Sequence, residues 1–299
     1  MSAATGGIRP RPIDAAAAAS MVGLCAIWAL GQISIKVAIE GISPLWQAGL
    51  RSLCAAIVVG AWTLWRGTSL APGRGCGVWS LVIGAVFAAE FVMLYLGMTL
   101  TSAARGSVLL YTAPFFVAIG GHRLLADPLT PSRIAGLVLA FLGVVVALAD
   151  HGDGVAAGDW RGDLLCLGAG AAWAATTLLI KATPLRGEPP ERALFVQLAV
   201  SAPILLAASL ALGERGVFAA TPLVWGAFAW QVLAVASLSY LGWFVMIRRH
   251  SPAKVSAFTF LTPLFGVAFA ALLLREPMTP SLLGAAALIA GGIWLVSRR

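Results

Sequence analysis

Charge is scarce in this chain. Asp, Glu, Lys and Arg make up 11% of its 299 residues, where a soluble domain carries about a quarter. With 60% hydrophobic residues and a mean hydropathy of +0.92, a water-facing surface of ordinary extent is excluded. Histidine is nearly absent: His122, His151 and His250 lie at span ends and in different loops. A membrane-embedded enzyme needs clustered histidine and aspartate or a nucleophile–base pair, so catalysis is not expected. The four cysteines, Cys25, Cys54, Cys76 and Cys166, are scattered without metal-ligand spacing. They read as small packing residues, and neither a metal nor a cofactor is expected. Strand-like alternation is also missing, which leaves an all-α membrane protein, since helices satisfy their own backbone in lipid.

What the chain does have is ten apolar runs of about 20 residues, each enough to cross a hydrocarbon core of about 30 Å. They fall at 16–39, 44–65, 78–100, 104–123, 132–150, 162–183, 190–212, 222–247, 253–274 and 281–297. The net charge of +8 suggests an anionic partner such as nucleic acid, but its distribution gives a simpler reading. With residues 1–15 as a cytoplasmic segment, inner connections hold 14 Lys and Arg and outer ones five, with Arg51 inside a span. That is the positive-inside bias, so nucleic acid is not expected as a partner and both termini are placed in the cytoplasm. The partners expected are the lipid bilayer and a small-molecule substrate, with a single copy as the working unit. The first apolar run is longer than a signal-peptide core and is read as a retained span.

The run Leu124-Leu125-Ala126-Asp127-Pro128-Leu129-Thr130-Pro131-Ser132 returns 149 positions later as Leu273-Leu274-Arg275-Glu276-Pro277-Met278-Thr279-Pro280-Ser281. At the same offset Ser107, Pro114 and Gly143 meet Ser256, Pro263 and Gly292. Earlier in each half the offset is 145: Trp28 meets Trp173, Lys36 meets Lys181 and Tyr95 meets Tyr240. The four-residue difference is about one helical turn. It falls between Tyr240 and Ser251, so span eight is expected to run a turn longer than span three. The chain divides into a first repeat at 16–150, an external linker at 151–161 and a second repeat at 162–299. Five spans per repeat is an odd number, so the second is inverted relative to the first, the construction of secondary transporters.

Trp28, Gln32 and Lys36 in span one, and Trp173, Thr177 and Lys181 in span six, recur at steps of four and share a helix stripe. Both stripes are expected to face one cavity at mid-depth, with the two lysines snorkelling towards the membrane surface. Tryptophans at 46, 62, 65, 79, 160, 225 and 294 lie near span ends and fit interfacial belts. Glu90 is the one carboxylate deep inside a span, and Arg51 the one basic residue well inside a span. Three readings of this pair stay open: a structural ion pair, contact with a zwitterionic substrate, or a proton-coupling site at Glu90. Pro114 and Pro263 sit mid-span in spans four and nine as kinks or hinges. Ser107 with Tyr111, and Ser256 with Phe260, share stripes beside them, and Tyr95 and Tyr240 complete the cavity set. Gly136, Ala140, Gly143 and Ala147 in span five, and Gly284, Gly291 and Gly292 in span ten, mark packing helices.

The repeat, the Glu276-Pro277-Met278-Thr279-Pro280 end of span nine and the ten-span count resemble the drug/metabolite transporter superfamily. The chain is similar to its ten-helix EamA-type branch, and within it to bacterial exporters of aromatic and other neutral amino acids. The resemblance implies a basket-shaped bundle in a bacterial inner membrane. Spans one to four and six to nine would enclose the cavity, with five and ten outside. The small four-helix relatives bind cations through a carboxylate on helix one. Span one here has none, so that chemistry does not carry over. The competing reading is a multidrug or cationic-compound exporter of the same fold using Glu90.

Overall fold

Short polar residues, often followed by proline, start most helices. A computed structural model describes residues 11–100, 103–149, 159–219, 221–274 and 280–298. Helix α1 (Ala15–Ala38) begins behind Asp14, whose carboxylate accepts the Ala17 N–H at 2.8 Å. Helix α2 (Pro44–Trp65) opens on a proline, whose missing N–H costs nothing at that position, and α3 spans Gly77–Leu100. The fourth expected span is two helices, α4 (Ala103–Leu110) and α5 (Ala113–Leu124). Next come α6 (Pro131–Ala149), α7 (Trp160–Ala182) capped by Asp159, and α8 (Pro190–Ala211). The eighth span joins α9 (Pro222–Trp230), a π segment at Gln231–Ser239, and α10 (Tyr240–Arg249). The ninth joins α11 (Pro252–Ala257), a 3₁₀ turn at Phe258–Phe260, and α12 (Leu261–Leu274); α13 (Pro280–Ser297) completes the set.

The ten expected spans are thus helical, each ending within two residues of its apolar run. Among the described residues no strand forms, only two isolated bridges. Six helical stretches are long and apolar enough to cross a membrane, and shorter apolar helices lie at 108–124, 131–146 and 283–297. Span eight has 28 residues against 24 in α3, which accommodates the four-residue insertion. The linker 150–158 and the segment Arg275–Thr279 lie outside the described residues.

The helices pair across the two halves. Helix α2 lies on α8, α3 on α7, α6 on α13, α5 on α11, and α1 on both the eighth and ninth spans. The α6–α13 contact is backbone-close: a Cβ at Gly292 would meet the Gly136 carbonyl oxygen at 2.5 Å, and one at Gly143 would meet the Ala285 carbonyl oxygen at 2.9 Å. The ends of the α2–α8 pair are tied on opposite faces. At the start of α2, Glu214 accepts the N–H groups of Leu45 and Trp46 at 3.1 and 2.9 Å. At the start of α8, Glu188 accepts the Gly73 N–H at 2.8 Å, and Arg192 donates to the Ser69 carbonyl at 2.6 Å. Most of the tryptophans near span ends, including Trp62, Trp65, Trp160, Trp225 and Trp294, are exposed on the outer surface.

Candidate functional site

A cavity of about 150 Å³ lies at the centre of the bundle. By the same measure one water takes roughly 10–15 Å³, so the space suits a molecule of about ten to fifteen non-hydrogen atoms. Its walls come from α1, α2, α3, α4, α7, α8 and the eighth span, with Tyr111 between α4 and α5; none of the lining residues belongs to α6 or α13.

The two repeated stripes meet here. Trp28 and Gln32 line the cavity from α1, and Trp173 and Thr177 line it from α7. The Trp28 and Trp173 rings stand edge to face with centroids 6.1 Å apart. Trp243 joins them from α10, at 5.4 Å from Trp28 and 6.1 Å from Trp173. The Trp28 indole N–H donates to Ser239 Oγ at 2.8 Å, and that hydroxyl donates to the Val235 carbonyl at 2.6 Å. A π segment fixes this relay. Gln32 Nε2 donates to Tyr111 Oη at 2.9 Å, which holds the amide against the turn between α4 and α5. Thr177 bonds back to the Trp173 carbonyl at 3.0 Å. Tyr240 stands edge-on to Phe87 at 5.9 Å, and both line the cavity.

Arg51 and Glu90 are the charged side chains on this wall among the described residues. They are 1% and 8% exposed. The Arg51 guanidinium lies over the Phe91 ring, 4.3 Å from its centroid. Among the described residues, no ion pair links Arg51 to Glu90. Arg51 Nε and Nη2 and Glu90 Oε2 are buried with no hydrogen-bond partner there. Of the three open readings, the direct structural pair is the one not formed: the two charges share a cavity with no ion pair between them.

Other expected residues go elsewhere. Tyr95 is off the cavity wall; it packs beside Phe91 at 6.2 Å, one turn further along α3. Phe260 is fully buried against Phe115 and Phe141, both centroids at 6.4 Å, because the 3₁₀ turn points it towards α6. Ser256 lines a smaller pocket with Pro114, Val117, Trp173 and Thr177. The side chains of Ser107 and Lys36 lie outside the described residues. Lys181 does not snorkel: its ammonium donates to the carbonyls of Ile247, at 3.1 Å, and His250, closing the end of α10. Pro114 and Pro263 fall in the first turns of α5 and α12, so where a kink was expected span four is interrupted by a turn and span nine passes through a 3₁₀ turn. Trp243 and Gln197 were missed. Trp243 aligns with Met98 or Leu94 in the first half, so the repeat carries no signal for it.

The model of the EamA-like transporter family matches residues 16–149 and again 160–298. A probable amino-acid metabolite efflux pump of Salmonella typhimurium is 27% identical, with 90% of this chain and 90% of that protein covered. The protein of the same description in Escherichia coli is equally similar. An uncharacterized transporter of Archaeoglobus fulgidus is 25% identical over 84% of this chain and 86% of its own length. A solved crystal structure at 19% identity superposes with a TM-score of 0.79, covering 93% of this chain and 95% of that one, and so shares the fold. A helical, multi-pass chain matched twice along its length by one family model has one place: it belongs to the EamA-like transporter family, and is a membrane transporter, not an enzyme.

Proposed function

We propose that this protein is a secondary transporter that exports aromatic and other neutral amino acids from the cytoplasm. The observation that carries the reading is the cavity itself. Equivalent positions of the two halves, Trp28 with Trp173 and Gln32 with Thr177, line one small space at its centre. Two inverted repeats, 16–150 and 162–299, would rock about that site, exposing it to each side in turn. The mirrored ties at the starts of α2 and α8, on opposite faces, support inversion. So does the exchange of helix partners between halves. The excess of Lys and Arg on one set of connections supports a bacterial inner-membrane location with both termini in the cytoplasm. The relatives described as amino-acid metabolite efflux pumps support export.

Trp28, Trp173, Tyr111 and Tyr240 would hold the substrate side chain, and Gln32, Thr177, Ser107 and Glu90 its polar groups, with Ser256 in the smaller pocket behind Thr177. Tyr95 and Phe260 would act only from behind the wall. Pro114, after the turn in span four, and Pro263, after the 3₁₀ turn in span nine, are the positions where the halves would flex. A cationic-drug exporter is the weaker reading, because Arg51 places positive charge in the same space. Purified protein in liposomes loaded with labelled L-phenylalanine should speed its efflux above that of empty vesicles. Equal rates for every neutral amino acid tried would end this reading.

A further inference from the structure

We propose that Arg51 and Glu90 form a split charge clamp that reads both ends of a zwitterion, the guanidinium taking a carboxylate and Glu90 an ammonium. The inference rests on the export reading and names its recognition chemistry. Two buried opposite charges in one lipid-embedded cavity would ordinarily pair, since each is expensive alone. Here each is at least nine-tenths buried, each lines the cavity, and they are not in contact. Among the buried polar atoms left without partners in the described residues are the ones a zwitterion needs. Arg51 Nε and Nη2 share one edge of the guanidinium plane, the edge that accepts a carboxylate through two parallel N–H···O bonds. Glu90 Oε2 is a buried acceptor without a partner, of the kind an ammonium satisfies. The Phe91 ring under the guanidinium holds its plane in place.

Net charge decides the selectivity. A lone amine would meet Glu90 but also Arg51, and a lone carboxylate the reverse. A neutral amino acid satisfies both. The second half has no matching pair: Glu90 aligns with Val235 or Ser239, both in the π segment, so the clamp is built on one half alone.

The test uses the purified full chain reconstituted in liposomes, with L-phenylalanine, phenethylamine (no carboxylate) and 3-phenylpropionate (no ammonium) as probes. Wild type should favour phenylalanine over either analogue by on the order of 10- to 100-fold, the weight of a charged hydrogen bond. Arg51→Gln should lose most affinity for phenylalanine and shift its preference to phenethylamine. Glu90→Gln should shift it to 3-phenylpropionate. A purely structural role would lower all three together. If Arg51→Gln does not fold, Arg51→Lys keeps the charge but loses the fork, and should weaken phenylalanine binding while still rejecting phenethylamine. Phenylalanine flux that both variants leave unchanged, or wild type that takes phenethylamine as well as phenylalanine, overturns the clamp and spares the export reading. No flux of any neutral amino acid by wild type overturns both.

Discussion

At the scale of single residues, a few polar side chains fix the geometry of an otherwise apolar bundle. Ser239 receives the Trp28 indole N–H and passes a bond to Val235. Ser239→Ala leaves that N–H buried without an acceptor and should cost about 1 kcal/mol, as for other polar contacts in membrane bundles; chemical denaturation in detergent would read it. Glu188 ties the connection after α2 to the start of α8. Burial alone would raise its carboxyl pKa, but bonds from Cys76, Arg192 and the Gly73 N–H outweigh this and hold it below the ordinary value. Its folded pKa is therefore lower than its unfolded one. The stabilisation is complete above the usual carboxylate range, near pH 4.3, and is lost as pH falls through the depressed folded value. Wild type should lose stability on acidification below that range more steeply than Glu188→Gln, in thermal melts across pH. The stripes of Trp28 and Gln32 and of Trp173 and Thr177 were readable from the sequence because the repeat marks them twice. Trp243 was not, since nothing in the first half mirrors it.

At the scale of elements, helix ends were legible and helix interiors were not. The apolar runs set every span to within two residues. Local departures from α-geometry turned the faces. Counting steps of four from Ser256 put Phe260 on the cavity, but a 3₁₀ turn rotates about 20° more per residue than an α-helix, and three such residues turn the ring by about 60°. The π segment before Tyr240 adds a residue to its turn, so Tyr240 reaches the cavity while Tyr95 does not. The break before Pro114 should matter for movement. Pro114→Ala restores an N–H that can bond the Leu110 carbonyl and join α4 to α5. It should lower kcat several-fold and leave KM near its wild-type value in liposome flux. The small residues of α6 and α13 marked both as packing helices from spacing alone, and the structure packs them on each other with backbones close together. Gly292→Leu has no room and should destabilise by roughly 1–3 kcal/mol. Because neither helix lines the cavity, KM should be unchanged in the fraction that folds.

At the scale of the whole molecule, two five-span halves enclose one space lined by tryptophans and bearing one charge of each sign. Ties at opposite faces hold α2 to the connection after α8, and α8 to the connection after α2. Releasing one tie while keeping the other would open the cavity to one side only, which is what alternating access requires. Leu94 lines the cavity one turn from Glu90 with an apolar side chain, so it can report on access. A single cysteine placed there by Leu94→Cys, with the four native cysteines replaced by alanine, would be treated with a membrane-impermeant thiol reagent in right-side-out and in inside-out vesicles. Labelling from both sides, with rates that L-phenylalanine changes, is the expected result. Labelling from one side alone, unaltered by substrate, would contradict a carrier that alternates about this cavity.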